Sequence, residues 1–294
     1  MVGDIFEWEK PLVELERRIA ELQKFSADRQ IDIGSEIETL QQRADRLRHE
    51  IYTNLTPWQR VLTARHRNRP TTLDYIRMMC DDFIEFHGDR AVRDDAAIVG
   101  GVALFAGRPV TILGPQKGSS TKENLKRNFG LPHPEGYRKA LRLMKQAEKF
   151  RRPIISLIDV VGAYPGIEAE QRGQGVVIAQ AIQEMSFLRT PIVCVVTGEG
   201  GSGGALAIAV GDRVLMMENA WYSTISPEMC AEIIWRDGTR AKEAAEIMRL
   251  TAPDLKALGI VDDVVPEPYG GAHRDPKKAA AAVKAAILAH LEPL

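Results

Sequence analysis

Apolar positions in the first 55 residues recur at three-and-four spacing: Leu12, Leu15, Ile19 and Leu22, then Ile37, Leu40, Ala44, Leu47 and Ile51, with charges between them. That period predicts two amphipathic helices. The polar stretch Ser26–Gly34 joins them into a helical hairpin over residues 1–55. Ser35 followed by Glu38 predicts a capping box at the start of the second helix. The apolar stripe is narrow and needs a cover: the hairpin itself, the main body or a partner subunit.

From residue 56 to 294 the pattern changes. A helix is expected over Thr72–Phe86, then strands Ile98–Leu104 and Pro109–Leu113 around an Ala106–Arg108 hairpin turn. Glu135–Phe150 reads as an amphipathic helix with Arg138, Lys139, Arg142, Lys145 and Lys149 on its wet side. Pro153–Ile158 reads as a buried strand, and Pro191–Val196 is a short apolar run of buried-strand type. A helix over Glu168–Leu188 lies between them, turning Val177, Ala181, Met185 and Leu188 inward. After the second strand five glycines fall in Gly198–Gly204, and Ala205–Val210 reads as a small-residue helix. Short strands (Arg213–Glu218, Trp221–Ile225, Ile260–Val265) and helices (Glu228–Trp235, Thr239–Arg249, one stopped by Gly259, and Pro276–Leu291) complete the chain. Strands alternating with helices predict an α/β fold with a parallel sheet. Both glycine loops, Gly162–Gly166 and Gly198–Gly204, then lie at neighbouring carboxyl ends of strands, where open α/β sheets bind ligands.

A net charge of −1 over 294 residues argues against nucleic-acid binding by bulk charge. No apolar run is long enough to span a membrane, and the acidic start, Met1–Glu9, lacks the basic and apolar regions of a signal peptide. Cys80, Cys194 and Cys230 are widely spaced, with no CxxC, so neither a zinc ribbon nor a disulfide framework is expected and a cytoplasmic setting fits.

Each glycine costs backbone entropy, so five at one junction imply close approach by a ligand or another backbone. Free N–H groups at a helix start also suit a developing oxyanion. Other groups compete for attention. His87 and Asp89 could pair, although a His beside a Gly-Asp turn fits a structural role. The loop Gly114–Lys122 is not a P-loop, but Lys117, Lys122, Lys126 and Arg127 suit an anionic ligand as well as a solvated face. Gly200–Gly204 satisfies the G-x-S-x-G pattern around Ser202, with His273 as base and Asp254, Asp262 or Asp263 as the acid of a serine hydrolase. A hydratase or isomerase would need a carboxylate base, for which Glu199, Glu168 and Glu170 are available. The alternative needs no side-chain nucleophile: paired N–H groups from the two glycine loops polarise one carbonyl oxygen.

The ordered set of Gly198–Ile208, Gly162–Gly166, Asn128–Gly130, Pro134–Met144, Ile225–Glu228 and Pro266–Arg274 resembles the alpha subunits of bacterial acetyl-coenzyme A carboxylase carboxyltransferase over essentially the whole chain. The resemblance implies a crotonase-like fold of stacked ββα units carrying an N-terminal helical hairpin. It implies transfer of a carboxyl group from carboxybiotin, on a biotin carboxyl carrier protein, to acetyl-CoA, giving malonyl-CoA for fatty-acid synthesis. Partners would be a zinc-ribbon beta subunit in an alpha2-beta2 heterotetramer and, in the full complex, biotin carboxylase, where ATP is used. Mapped here, Gly203 and Gly204 form the oxyanion hole for the biotin ureido carbonyl, and Gly162, Ala163, Gly166, Ile167, Gly200 and Gly201 line the carboxybiotin pocket. The thioester would be held mainly by the beta chain. The sequence departs from the family at Asp159–Gly162, where Asp-Thr-Pro-Gly is usual. It departs again at Pro115 and Ser119–Ser120, where His and Arg-Glu are usual.

Overall fold

A computed structural model describes residues 5–29 and 31–294. Two compact units meet in sequence at Thr56/Pro57.

The first unit is two helices, α1 (Lys10–Arg29) and α2 (Gly34–Thr53). Their stripes close on each other: Leu12, Ile19, Ala44, Tyr52 and Leu55 are buried, with Leu15, Ile37, Leu40 and Leu47 packed against them. Glu9 is fully buried, and its carboxylate accepts from the Phe6 N–H and the Tyr52 hydroxyl. The expected capping box at Ser35 does not form. The helix starts at Gly34, whose N–H is taken by Asp32 Oδ1 at 3.0 Å, so the polar joint ends one residue earlier.

The second unit opens with α3 (Pro57–Ala64), which no pattern announced, and α4 (Thr72–Met79), started by a Thr71–Asp74 capping box. The helix expected to reach Phe86 stops at Met79. Residues Cys80–Glu85 instead form β1, antiparallel to β2 (Ile98–Phe105), because the sheet edge supplies hydrogen-bond partners that a local pattern does not show. The turn between β2 and β3 (Arg108–Pro115) is Ala106-Gly107, both at positive φ (50° and 78°), the requirement of a two-residue primed hairpin turn. Then come α5 (Thr121–Lys126), α6 (Pro134–Lys149) and β4 (Ile154–Val160). The helix predicted over Glu168–Leu188 is broken into α7 (Ile167–Gln171) and α8 (Gln174–Met185) by Gly173 at φ +83°. β5 (Ile192–Gly201) runs through most of the glycines, so the following helix is one short turn, α9 (Ser202–Leu206), and not Ala205–Val210. The remainder is β6 (Arg213–Met217), β7 (Trp221–Ser223), α10 (Pro227–Trp235), α11 (Ala241–Met248), α12 (Ala252–Ala257), β8 (Asp263–Val265) and α13 (Pro276–Leu291).

The sheet order is β1-β2-β3-β4-β5-β6-β8, with β7 on the far end of β5. The first three strands are antiparallel and the rest parallel. Every residue of β4 and β5 is buried, as strands covered on both faces require. Helix α6 packs against β2 and β3, while α13 packs against β5, β6 and β8.

The wet face expected on α6 holds only for Lys145 and Lys149, which are exposed. Lys139 is fully buried, with Nζ 2.7 Å from both Asp94 Oδ1 and the Asp95 carbonyl oxygen. Glu135 is buried too, taking Arg172 Nε at 2.7 Å and Arg138 at 3.2 Å. Elsewhere Arg69 forks onto buried Glu267 (2.9 and 2.5 Å) and donates to the Thr197 carbonyl at 2.7 Å. Among the described residues no helix is long and apolar enough to cross a membrane.

Candidate functional site

The glycine junction is built where β5 leaves β4. A Cβ placed on Gly198 would stand 2.5 Å from Asp159 Oδ1, and one on Gly201 would stand 1.9 Å from the Val161 carbonyl oxygen. On Gly200 it would meet the Tyr222 ring at 2.8 Å, and on Gly204 the Ala163 backbone nitrogen at 2.4 Å. Four of the five glycines are therefore required by the chain's own close approach. The two glycine loops do meet, at Gly204 against Gly162–Ala163, where Tyr137 donates to the Gly204 carbonyl at 3.0 Å. Gly203 differs. A Cβ there would meet only the Ile178 side chain, at 3.3 Å, and the residue faces a cavity of about 380 Å³.

Ser202, Gly203, Leu206, Tyr222, Leu255 and Ile260 are among the walls of that cavity. Burial pushes the Tyr222 phenol up to about 12, so the ring keeps its proton and its hydroxyl remains a donor. As residues of the first turn, Gly203 and Gly204 have N–H groups ahead of the first i→i−4 bond. With one turn of helix behind them, individual N–H dipoles matter here more than a macrodipole. Gly200 and Gly201 are buried and are not among the cavity's lining residues, whereas Gly162 has open space beside it and Ile167 is 76% exposed. Gly166 leaves room for the Tyr164 ring and the Glu168 carboxylate. The far wall, supplied by residues 222–260, carried no signal in the sequence.

Beneath the junction lies a charge network. Lys117 Nζ reaches Asp159 Oδ1 at 2.7 Å and Glu199 Oε2 at 2.8 Å, while Arg65 Nε reaches Glu199 Oε1 at 2.7 Å and also grips Glu228. Burial opposes the charge on Lys117, but Asp159 and Glu199 outweigh it and raise its pKa. Burial likewise opposes the charge on Glu199, and Lys117 with Arg65 outweighs it, leaving Glu199 a stronger acid than usual. Glu199 is thus consumed as an anion and Lys117 as its counterion. The loop 114–122 is otherwise tied locally: Ser120 caps α5, and Ser119 holds Glu123 at 2.7 Å. Arg127 donates to the Ala96 carbonyl at 2.9 Å, and Lys122 and Lys126 are exposed.

His87 and Asp89 do not form a pair. Asp89 accepts three backbone N–H groups (Ala91, Val92, Arg93) and Arg138, while exposed His87 sits 3.2 Å from Asp94. Ser202 is exposed at φ +58°, a left-handed conformation. Among the described residues no histidine lines its cavity. His273 stacks on His66 with ring centroids 3.8 Å apart, and burial followed by the His66 charge lowers its pKa to about 3. His290, also downstream of Ser202, lies on α13 at 3.5 Å from Asp263.

Residues 5–294 match the family described as acetyl co-enzyme A carboxylase carboxyltransferase-like. The chain is 59% identical to the acetyl-coenzyme A carboxylase carboxyl transferase subunit alpha of Thermus thermophilus over 98% of its length and 91% of the relative's. It is 60% identical to the Bacillus velezensis subunit of the same name over 93% and 84%. Among solved structures, transcarboxylase 12S with methylmalonyl-coenzyme A bound superposes with a TM-score of 0.58 at 23% identity, covering 74% of this chain and 41% of that one. The Pseudomonas aeruginosa geranyl-CoA carboxylase beta subunit gives 0.56 at 15%, over 73% and 41%. At those identities the structures speak to fold alone, and that fold is crotonase-like. By sequence, the chain belongs to the acetyl-coenzyme A carboxylase carboxyltransferase-like family.

Proposed function

We propose that this chain, as the alpha subunit of an acetyl-CoA carboxylase carboxyltransferase, receives the carboxybiotin ureido ring at Gly203 and promotes release of its carboxyl group to acetyl-CoA. The observation that carries the reading is that Gly203, alone of the five junction glycines, lines that cavity, and a Cβ there would meet only the Ile178 side chain. The volume, about 380 Å³, falls in the range of small-molecule sites, and the walls Leu206, Leu255, Leu258 and Ile260 suit an apolar ring system. N–H groups of Gly203 and Gly204 would hydrogen-bond the ureido oxygen. They would strengthen as charge grows there while the carboxyl group departs. No proton need be taken by this chain, which agrees with the commitment of Glu199 to Lys117 and Arg65.

Gly162, Ala163, Gly166 and Ile167 would edge the same site, with Gly200 and Gly201 shaping its floor through the backbone. A separate zinc-ribbon beta subunit would bring acetyl-CoA. Exposed Ile167, Val176 (73%) and Leu206 (41%), on the elements flanking the glycine loops, support a partner covering that face. A carrier protein would deliver carboxybiotin, in an alpha2-beta2 assembly in the cytoplasm. The free state of Cys80, Cys194 and Cys230 accords with a reducing compartment.

One observation favours hydrolysis: Ser202 is exposed and left-handed, as a nucleophile on a tight turn would be. The absence of a histidine from the cavity lining among the described residues weighs against it. Carboxyl transfer from malonyl-CoA to biocytin, assayed with the chain alone and with a cognate beta subunit, separates the readings. Activity is expected only in the mixture. Gly203→Ala should lower it on the order of 100-fold, and Ser202→Ala should leave it within about twofold. Loss of all activity in Ser202→Ala, or thioester turnover by this chain alone, would reject the proposal.

A further inference from the structure

We propose that Asp159, locked by Lys117, is a positioning residue that aims the Gly203 N–H; the inference rests on the carboxyltransferase reading and names what holds that site in place. The β4–β5 ladder pairs Ile158 with Val196 and then Val160 with Gly200. Asp159 alone therefore faces Thr197, Gly198 and Glu199. Extra residues of this kind bend a strand and leave a ladder N–H without its backbone partner. Asp159 answers both effects. Its Oδ1 accepts the Glu199 N–H at 2.9 Å, and its carboxylate occupies the space a Cβ on Gly198 would need. Lys117, arriving from the end of β3, bonds the same oxygen and also Glu199, so the carboxylate cannot swing away without breaking its bonds to Lys117 and to the Glu199 N–H. Glu199 in turn is tied through Arg65 to Glu228 at the start of α10.

Past the bulge β5 passes to a new neighbour, pairing Glu199 with Trp221, Gly200 with Tyr222 and Gly201 with Ser223. Tyr222 and Ser223 are themselves walls of the Gly203 cavity. The bulge thus fixes both the N–H groups and the wall facing them, and Asp159 is the group that fills it.

The variants are Asp159→Ala, which removes the acceptor, and Asp159→Asn, which keeps one. With the cognate beta subunit, Asp159→Ala is expected to lose kcat for malonyl-CoA-to-biocytin transfer on the order of 10- to 100-fold with KM for malonyl-CoA unchanged. Asp159→Asn should recover most of that rate. Amide hydrogen exchange in residues 198–204 of the chain alone should quicken in Asp159→Ala and stay as in wild type over α13. Where Asp159→Ala fails to fold, Lys117→Gln replaces it, with a smaller kcat loss and the same exchange pattern expected. A wild-type rate and exchange in Asp159→Ala (or, in its place, Lys117→Gln) overturns the inference, as does Asp159→Asn proving as slow as Asp159→Ala. A wild-type complex that transfers nothing would instead remove the carboxyltransferase reading, and exchange at 198–204 would still decide the role of Asp159.

Discussion

Helices α2 and α6 look alike on paper, each a charged amphipathic segment, yet they hold their charges differently. On α2, Asp45 is exposed and Arg48 reaches Glu16 at 2.6 Å with both side chains partly in water. On α6, Lys139 and Glu135 are buried and bonded to groups from the 89–95 loop, Arg138 and Arg172. What separates them is company. The hairpin packs one apolar face against one neighbour, whereas α6 is enclosed by sheet, loop and helix, and Asp94 and Arg172 arrive from outside it as counter-charges. Charge spacing along a helix therefore says that a polar face exists; the surrounding elements decide whether it meets water.

The comparison can be broken most forcefully in the second unit. Arg69→Met leaves Glu267 fully buried without its cation, and removing one member of such a pair costs about 3–5 kcal/mol. Chemical denaturation should show that loss. A shift no larger than a surface substitution gives would mean that water reaches Glu267.

Acid is a gentler probe of the same interior. His273 is held neutral in the folded state, with a pKa of about 3, and gains a proton near pH 6.5 once unfolded. Its contribution is present above that pH and is lost as pH falls from about 6.5 toward 3, with a slope of at most about 1.4 kcal/mol per pH unit. Stability measured at pH 7 and pH 5 should differ less in His273→Gln than in the wild type. An equal difference in both would remove His273 as the cause. The smallest effect belongs to the hairpin. Arg48→Met should cost less than about 1 kcal/mol, read from helical signal on heating, because its ion pairs are partly solvated.

Elements whose apolar pattern is complete in itself were readable in advance. The largely apolar first halves of β4 and β5, Ile154–Ile158 and Ile192–Val196, were expected as buried strands, and α13 occupies Pro276–Leu291 as its alanine-rich pattern indicates. Elements defined by a partner were not. β1 has the polar sequence Cys80–Glu85 and exists because β2 accepts it. The α7–α8 break depends on one left-handed glycine inside an otherwise helical run. The site divides likewise. Glycine density marked the junction, but spacing cannot tell which glycines face another backbone and which one faces a cavity. The wall from Tyr222 to Ile260 is assembled by topology, and the buried role of Asp159 appears only once the strand register is known.

The edge strand β1 has a consequence for the chain's life at high concentration. An open sheet edge invites another strand to dock and extend the sheet into aggregates. This one carries exposed Asp81 and Asp82 side by side, with Asp82 at φ +49° and the pairing register broken between Asp81 and Ile84. A newcomer would meet repelling carboxylates and a kinked backbone. At the opposite margin β8 is only three residues long. Both margins are poor templates, so association is steered to the faces and loops, where it can be selective.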